Sequence, residues 1–386
     1  MSKIKKVLLR LLLLATALVV TLGAVAFATG TAQRAYEAAR WLLEFSQSAE
    51  ARGGPRPMMR APLSYEVDGR RYNADIYRPL ESPRAALVLL HGASPGGKDE
   101  PRLVDFAATL ATARFIVLVP DLVNLRKLQL RANTRIDVAD AVRYMANTPD
   151  LIPNQNLGVV AISVAAGPAI DAALEPATAK QLDFVLAIGG YYDMLTTLTF
   201  ATTGYFHDGT QAHRQEPNDY GKWVFALSNV EMLKSPTDRG AIRAIARRKL
   251  NDRGARVDEL VARLTPEAQA LYRFLANTDP EQVQRLHAGL PPQVKAEIEA
   301  LSLSNKDLST VKAGVILVHG RDDTIIPYSE SVALARALPP ARTQLFLVRG
   351  LFHVDLKLGL GDYWQLWRAA YALLEQRDAS QNPSQS

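Results

Sequence analysis

At 386 residues the chain is longer than one ordinary domain and fits one large domain with an insertion, or two domains. Hydrophobic residues at 48% and charged residues at 22% give an ordinary globular balance, which excludes wholesale disorder. The excess of 45 Lys+Arg over 39 Asp+Glu is small and partly terminal, too thin for the clustered basic face that nucleic acid requires; zero Cys excludes disulfides, thiolate metal sites and Cys nucleophiles.

Lys3, Lys5, Lys6 and Arg10 precede an uncharged stretch from Leu11 to Gln33. As a helix these 23 residues extend about 35 Å, enough to cross a hydrocarbon core of roughly 30 Å. The expectation is an N-terminal transmembrane helix within residues 1–33. Its charge asymmetry places it in the inner membrane of a bacterial-type cell, single-pass, with the rest of the chain on the outer, periplasmic side. The alternative is secretion after signal cleavage, since Ala24-Val25-Ala26 and Ala26-Phe27-Ala28 offer small-residue cleavage patterns.

A helix and linker follow over 34–61, with Arg52-Gly53-Gly54-Pro55-Arg56-Pro57 breaking any periodic element. The spacing then predicts strands at Ser64–Asp68, Tyr72–Tyr77 and Ala85–Leu90, the last continuously apolar as in a strand buried on both faces. A helix near Arg102–Ala113, a strand Phe115–Pro120 and a helix near Ile136–Met145 come next. A strand Leu157–Ile162, a helix after Ser163 and a strand Phe184–Ile188 complete this half. The alternation predicts a doubly wound, mainly parallel α/β sheet.

From about Leu195 to Leu308 no buried strand is evident. Helical signals replace it, including Thr265-Pro266-Glu267 and Asp279-Pro280-Glu281, each a capping residue before a Pro at the first helical position. The α/β pattern resumes with strands at Ala313–Val318 and Gln344–Val348 and a last helix from about Asp362. There Trp364, Trp367, Tyr371 and Leu374 share one face, read as packing against the sheet. The expected division is a core over 62–193 and 311–376, a helical insertion over 194–310 and a disordered tail over 377–386.

Three segments at strand ends carry candidate chemistry. They are His91-Gly92-Ala93-Ser94-Pro95-Gly96-Gly97, then Ala161-Ile162-Ser163-Val164-Ala165, and the pair His319-Gly320-Arg321-Asp322-Asp323 through Pro327 with Gly350-Leu351-Phe352-His353. A serine hydroxyl is a weak nucleophile that needs an adjacent base oriented by a carboxylate. A strand-to-helix elbow lifts such a serine above the sheet and brings helix N-terminal N–H groups to the reacting oxygen.

On these motifs the chain resembles the α/β-hydrolase family, of the serine esterase and lipase kind, with the insertion placed as a cap before the strand that carries the catalytic acid. The chain order Ser163, Asp323, His353 is that family's order. The resemblance implies Ser163 as nucleophile, His353 as base and then acid, and Asp323 as the orienting carboxylate, with the backbone N–H groups of Ala93 and Val164 as oxyanion hole. It implies hydrolysis of a small-molecule or lipid-like ester with no cofactor and no metal. Serine peptidase, amidase and thioesterase chemistry on the same triad are the neighbouring alternatives, and a non-catalytic, membrane-tethered binding protein is the remaining one.

The family's elbow is usually Gly-x-Ser-x-Gly, whereas Ala161 and Ala165 flank the serine here. Two further acids compete with Asp323. Asp322 adjoins it in the turn, and Asp193 ends the preceding strand segment; the family's usual spacing of four residues before the proline favours Asp323. His91 and His319, at strand ends beside Gly, are expected to be structural, and His207, His213 and His287 solvated. Gly92 to Lys98 satisfies the opening of a phosphate-binding loop, but Asp99 stands where that motif needs Ser or Thr, so no nucleotide is expected.

Overall fold

The computed structural model describes residues 30–46, 56–209, 211–352, 355–356 and 360–379. Strands β1 (Met58–Val67) and β2 (Arg70–Pro79) form an antiparallel hairpin. Asp68 and Gly69 turn it, both at positive φ (48° and 76°), the pair of left-handed residues that matches strand twist in a two-residue turn. Strands β3 (Ala85–Leu90), β4 (Phe115–Pro120), β5 (Leu157–Ile162) and β6 (Phe184–Ile188) follow. After the insertion, with its small hairpin of β7 (Tyr205–His207) and β8 (Ala212–Arg214), come β9 (Gly314–Gly320) and β10 (Thr343–Val348).

These strands, the small hairpin apart, make one eight-stranded sheet in the order β1-β2-β4-β3-β5-β6-β9-β10. β2 meets β4 antiparallel, and every later pairing is parallel. The mainly parallel sheet read from the alternation is therefore present. β3 and β4 are buried along their whole length, as strands covered on both faces must be.

Helices cover both faces. Thr134–Ala146 and Ala166–Leu174 lie on one side, Pro101–Thr112 and Leu360–Asp378 on the other, each sealing a separate apolar core. The first core does not stop at the sheet. It continues into the insertion through Phe225 (Tyr220–Asn229 helix), Ile242 and Ile245 (Pro236–Asn251), Leu271 and Phe274 (Pro266–Ala276) and Ile298 (Pro292–Leu301). Pro266 opens its helix as the first helical residue, as its fixed φ allows.

The expected N-terminal transmembrane helix is corrected, and the inner-membrane placement with it. Among the described residues no helix is long and apolar enough to cross a membrane. The apolar run up to Thr29 lies outside the described residues, as do both small-residue cleavage patterns. Its last residues, Thr31–Gln33, instead open a helix, Thr31–Ser46, that carries Arg34, Glu37, Arg40 and Glu44 and rests on the protein body. Ala38 is fully buried there, Trp41 Nε1 donates to Thr109 O at 3.2 Å, and Arg377 Nη2 pairs with Glu37 at 2.6 Å.

That helix also meets the aromatic stripe of the last helix, which the sequence reads as packing against the sheet. Trp367 Nε1 donates to Ala35 O at 3.0 Å, and Arg34 sits over the Tyr371 ring at 5.7 Å. Trp364 stacks on Trp367 at 4.9 Å yet stays 58% exposed. The stripe thus serves two partners: Trp367 and Tyr371 meet the neighbouring helix and also pack against the second core, in which Leu374 is buried.

Candidate active site

β5 ends at Ile162, and the chain turns within Ser163–Ala165 into the Ala166–Leu174 helix. Ser163 takes φ +58°, a left-handed conformation that costs a non-glycine residue about 1–3 kcal/mol and persists only where surroundings enforce it. The packing supplies that enforcement. Ala161 and Ala165 are fully buried, so both extra methyl groups of this elbow are accommodated. A side chain on Gly167 would collide with the Tyr191 hydroxyl at 2.2 Å, and one on Gly190 with Ala166 Cβ at 2.5 Å. The backbone approach that seats the elbow thus falls at Gly167 and Gly190.

Gly92 passes beside the serine: a Cβ there would lie 3.2 Å from Ser163 Cβ. His91, 1% exposed, holds this loop in place. Its Nε2 accepts from Leu122 N at 3.1 Å, and its Nδ1 lies 2.8 Å from Gly92 O. A carbonyl only accepts, so Nδ1 carries the proton and the ring is neutral, in keeping with burial, which pushes its pKa down. Ala93 and Val164 both border the cavity that Ser163 faces. Val164 N–H belongs to the first turn of a helical segment, where backbone donors have no intrahelical acceptor.

Asp323 is 1% exposed in the turn after β9. Its Oδ1 accepts from Ile325 N at 2.8 Å and Ile326 N at 3.0 Å, and the next residues, Thr324 to Ile326, line the cavity. His319 braces the same turn. Its Nε2 donates to Ile326 O at 2.9 Å and also approaches Asp323 Oδ2 at 3.4 Å, and its Nδ1 lies 2.7 Å from Ser331 Oγ.

The competing acids are occupied elsewhere. Asp193 caps the Met194–Thr203 helix by accepting from Thr196 N, and it also accepts from Ser304 Oγ at 2.5 Å. Asp322 accepts from Gly350 N at 2.8 Å, tying the acid turn to the segment after β10. His353 lies outside the described residues.

Of the remaining histidines, His207 is exposed. His213 is not simply solvated: it stacks on Phe206 at 5.1 Å and reaches Asp208 at 3.0 Å across the small hairpin, whose three-residue strands are too short to leave a periodic trace. His287 packs near Phe274, and burial lowers its pKa. Lys98 is engaged by Asp75 and Asp99, both at 3.1 Å, which leaves no phosphate cradle in this loop.

Around Ser163 opens a cavity of about 710 Å³, within the usual range for small-molecule sites. It lies at the C-terminal ends of β3, β5, β6 and β9, where open α/β sheets bind ligands. The insertion covers it: Tyr220 Oη donates to Ala93 O at 3.0 Å, and Val224 and Phe225 line its wall.

No family model matches the chain. Two curated proteins of Pseudomonas putida are similar to it. 2-Hydroxymuconate semialdehyde hydrolase is 22% identical over 291 residues, 75% of this chain and 88% of that protein. 2-Hydroxy-6-oxo-2,4-heptadienoate hydrolase of strain F1 is 26% identical over 83 residues, 22% of this chain and only 30% of the length of that protein. Among solved structures, a Legionella pneumophila protein whose hydrolase function is itself only proposed superposes with a TM-score of 0.51 at 13% identity, covering 84% of this chain and 90% of that one. That likeness is one of fold.

Proposed function

We propose that this chain, similar to a curated hydrolase and to a solved structure of α/β-hydrolase fold, is a serine hydrolase of the α/β-hydrolase kind, cleaving a carboxylic ester through an acyl-enzyme. Ser163 is the nucleophile, His353 the base and then acid, and Asp323 the orienting carboxylate. The observation that carries the reading is the enforced left-handed backbone of Ser163 at a strand end, facing a cavity of molecular size.

Ser163 Oγ bonds to the ester carbonyl carbon while its proton passes to His353. The carbonyl electron pair moves onto oxygen, and the N–H groups of Ala93 and Val164 hold that charge. Collapse restores the carbonyl, breaks the bond to the alcohol oxygen and returns the proton from His353 to the leaving alkoxide. Water repeats the sequence on the acyl-enzyme, releasing the acid and regenerating Ser163. Asp323, fixed by two backbone donors on Oδ1, keeps His353 in the tautomer that this traffic needs.

The curated relatives are named for semialdehyde and dienoate substrates, and a dienoate brings a carboxylate. The charged side chains that border the cavity among the described residues are Glu100 and Arg102, bonded to each other at 3.0 Å. A neutral ester suits such a wall better than an anion. Parallel assays with p-nitrophenyl esters and aminoacyl p-nitroanilides test the choice. Ester turnover is expected; strong turnover of amides with none of esters would replace the esterase reading by a peptidase one.

A further inference from the structure

The cavity spans two environments. Val164, Met194, Leu198 and Phe225 on its insertion side belong to the first apolar core, interleaved with Thr197, Asn218 and Tyr220. Its other side is built from the second core: Leu103, Phe106, Ile188 and Leu373, with Trp41 and Leu42 supplied by the Thr31–Ser46 helix. That side is hydrocarbon almost throughout. Trp41 turns its only polar atom to Thr109 O and tilts its ring against Phe106 at 6.3 Å, so what it offers the cavity is carbon. Glu100 and Arg102 border it as a pair, and Arg102 is exposed.

From this division we infer that the lobe between the Thr31–Ser46 and Leu360–Asp378 helices is a chain site, taking the linear hydrocarbon that adjoins the scissile bond. The substrate class is then a neutral ester with a medium or long alkyl chain, and the helix preceding the sheet is a specificity element. The inference rests on the serine hydrolase reading for the bond cleaved, but not for the binding itself. An apolar chain leaving water gains about 0.8 kcal/mol per methylene, so each methylene that enters the lobe raises kcat/KM about fourfold until the lobe is full.

Two ester series on the full chain decide which side of the bond the chain occupies: p-nitrophenyl esters from acetyl to dodecanoyl, and alkyl acetates from ethyl to decyl. A steep rise in one series supports the lobe; flat profiles in both overturn it. The filling variant Ala370→Phe is expected to lower the long-to-short kcat/KM ratio at least tenfold, and Trp41→Ala to shift the optimum to longer chains. If the first does not fold, the second reads the same wall. A variant set with unaltered profiles counts against the lobe. Titration of 1-decanol into the Ser163→Ala protein separates the two claims. Saturable binding without any ester turnover by the wild type would leave the lobe standing and the hydrolase reading fallen. Ester turnover with no chain preference and no decanol binding would do the reverse.

Discussion

Replacing Asp323 by Asn exchanges one buried carboxylate oxygen for an NH2 group and leaves Oδ1 free to go on accepting from Ile325 N and Ile326 N. The turn should therefore keep its shape while the group presented to His353 changes from acceptor to donor. We expect kcat to fall about 10⁴-fold with little change in Tm, because an imidazole held in the wrong tautomer cannot take the serine proton. An undiminished rate would return the role to another acid. His91 gives a second test at this scale. Burial holds its folded pKa below the ordinary value of about 6.5, so the unfolded chain binds the proton the folded chain refuses. Its contribution to stability is complete above about pH 6.5 and is lost as pH falls below that, by at most about 1.4 kcal/mol per pH unit. Asp137, pushed up to about 6 by burial, acts with the opposite sign between its ordinary value and that pH. The His91 share is thus read as the difference between wild type and His91→Asn in urea unfolding at pH 7.5, 6.5 and 5.5. Equal pH slopes in the two proteins would contradict it.

At the scale of elements, Glu330 fastens the insertion to the sheet. It is 4% exposed on the Ser329–Ala337 helix, and its Oε2 accepts from Tyr192 N at 2.9 Å and Asp193 N at 2.8 Å. Its Oε1 accepts from Thr196 Oγ1 at 2.6 Å, at the start of the first insertion helix. Glu330→Ala leaves those N–H groups buried without an acceptor and should cost about 2–4 kcal/mol. Glu330→Gln can accept both N–H groups and donate to Thr196, so we expect it to stay within about 1 kcal/mol of wild type. Chemical unfolding of both variants checks the order; equal losses would refute the clamp. No local pattern announces such a link, because its partners lie more than 130 residues apart. What the sequence does announce is periodic and local. β3, β4, β5 and β6 fall where continuous apolar runs place them, and the Pro266 helix starts where its capping signal does. The Ser163 elbow is legible for the same reason, as a small-residue turn following a strand. The helix that follows the N-terminal apolar run is legible as a helix, Thr31–Ser46, but its docking is not, because that depends on Trp367 and Arg377 at the far end of the chain. The aromatic stripe is legible as an inward-packing face, as Trp367, Tyr371 and Leu374 confirm, while its second partner, the Thr31–Ser46 helix, leaves no local trace.

For the whole molecule, two cores meet at one cavity. The sheet and the insertion share the first core, and the terminal helices close the second, so Ser163 sits where loosening either would be felt. The account stands or falls on whether this serine is activated by the assembled fold. The most direct measurement is labelling of the native protein with a fluorophosphonate, followed by intact mass and peptide mapping. The account predicts one adduct, on Ser163, absent from Ser163→Ala and absent when the wild type is unfolded before labelling. A native protein that takes no label, or takes it equally well in the Ser163→Ala variant, would contradict it.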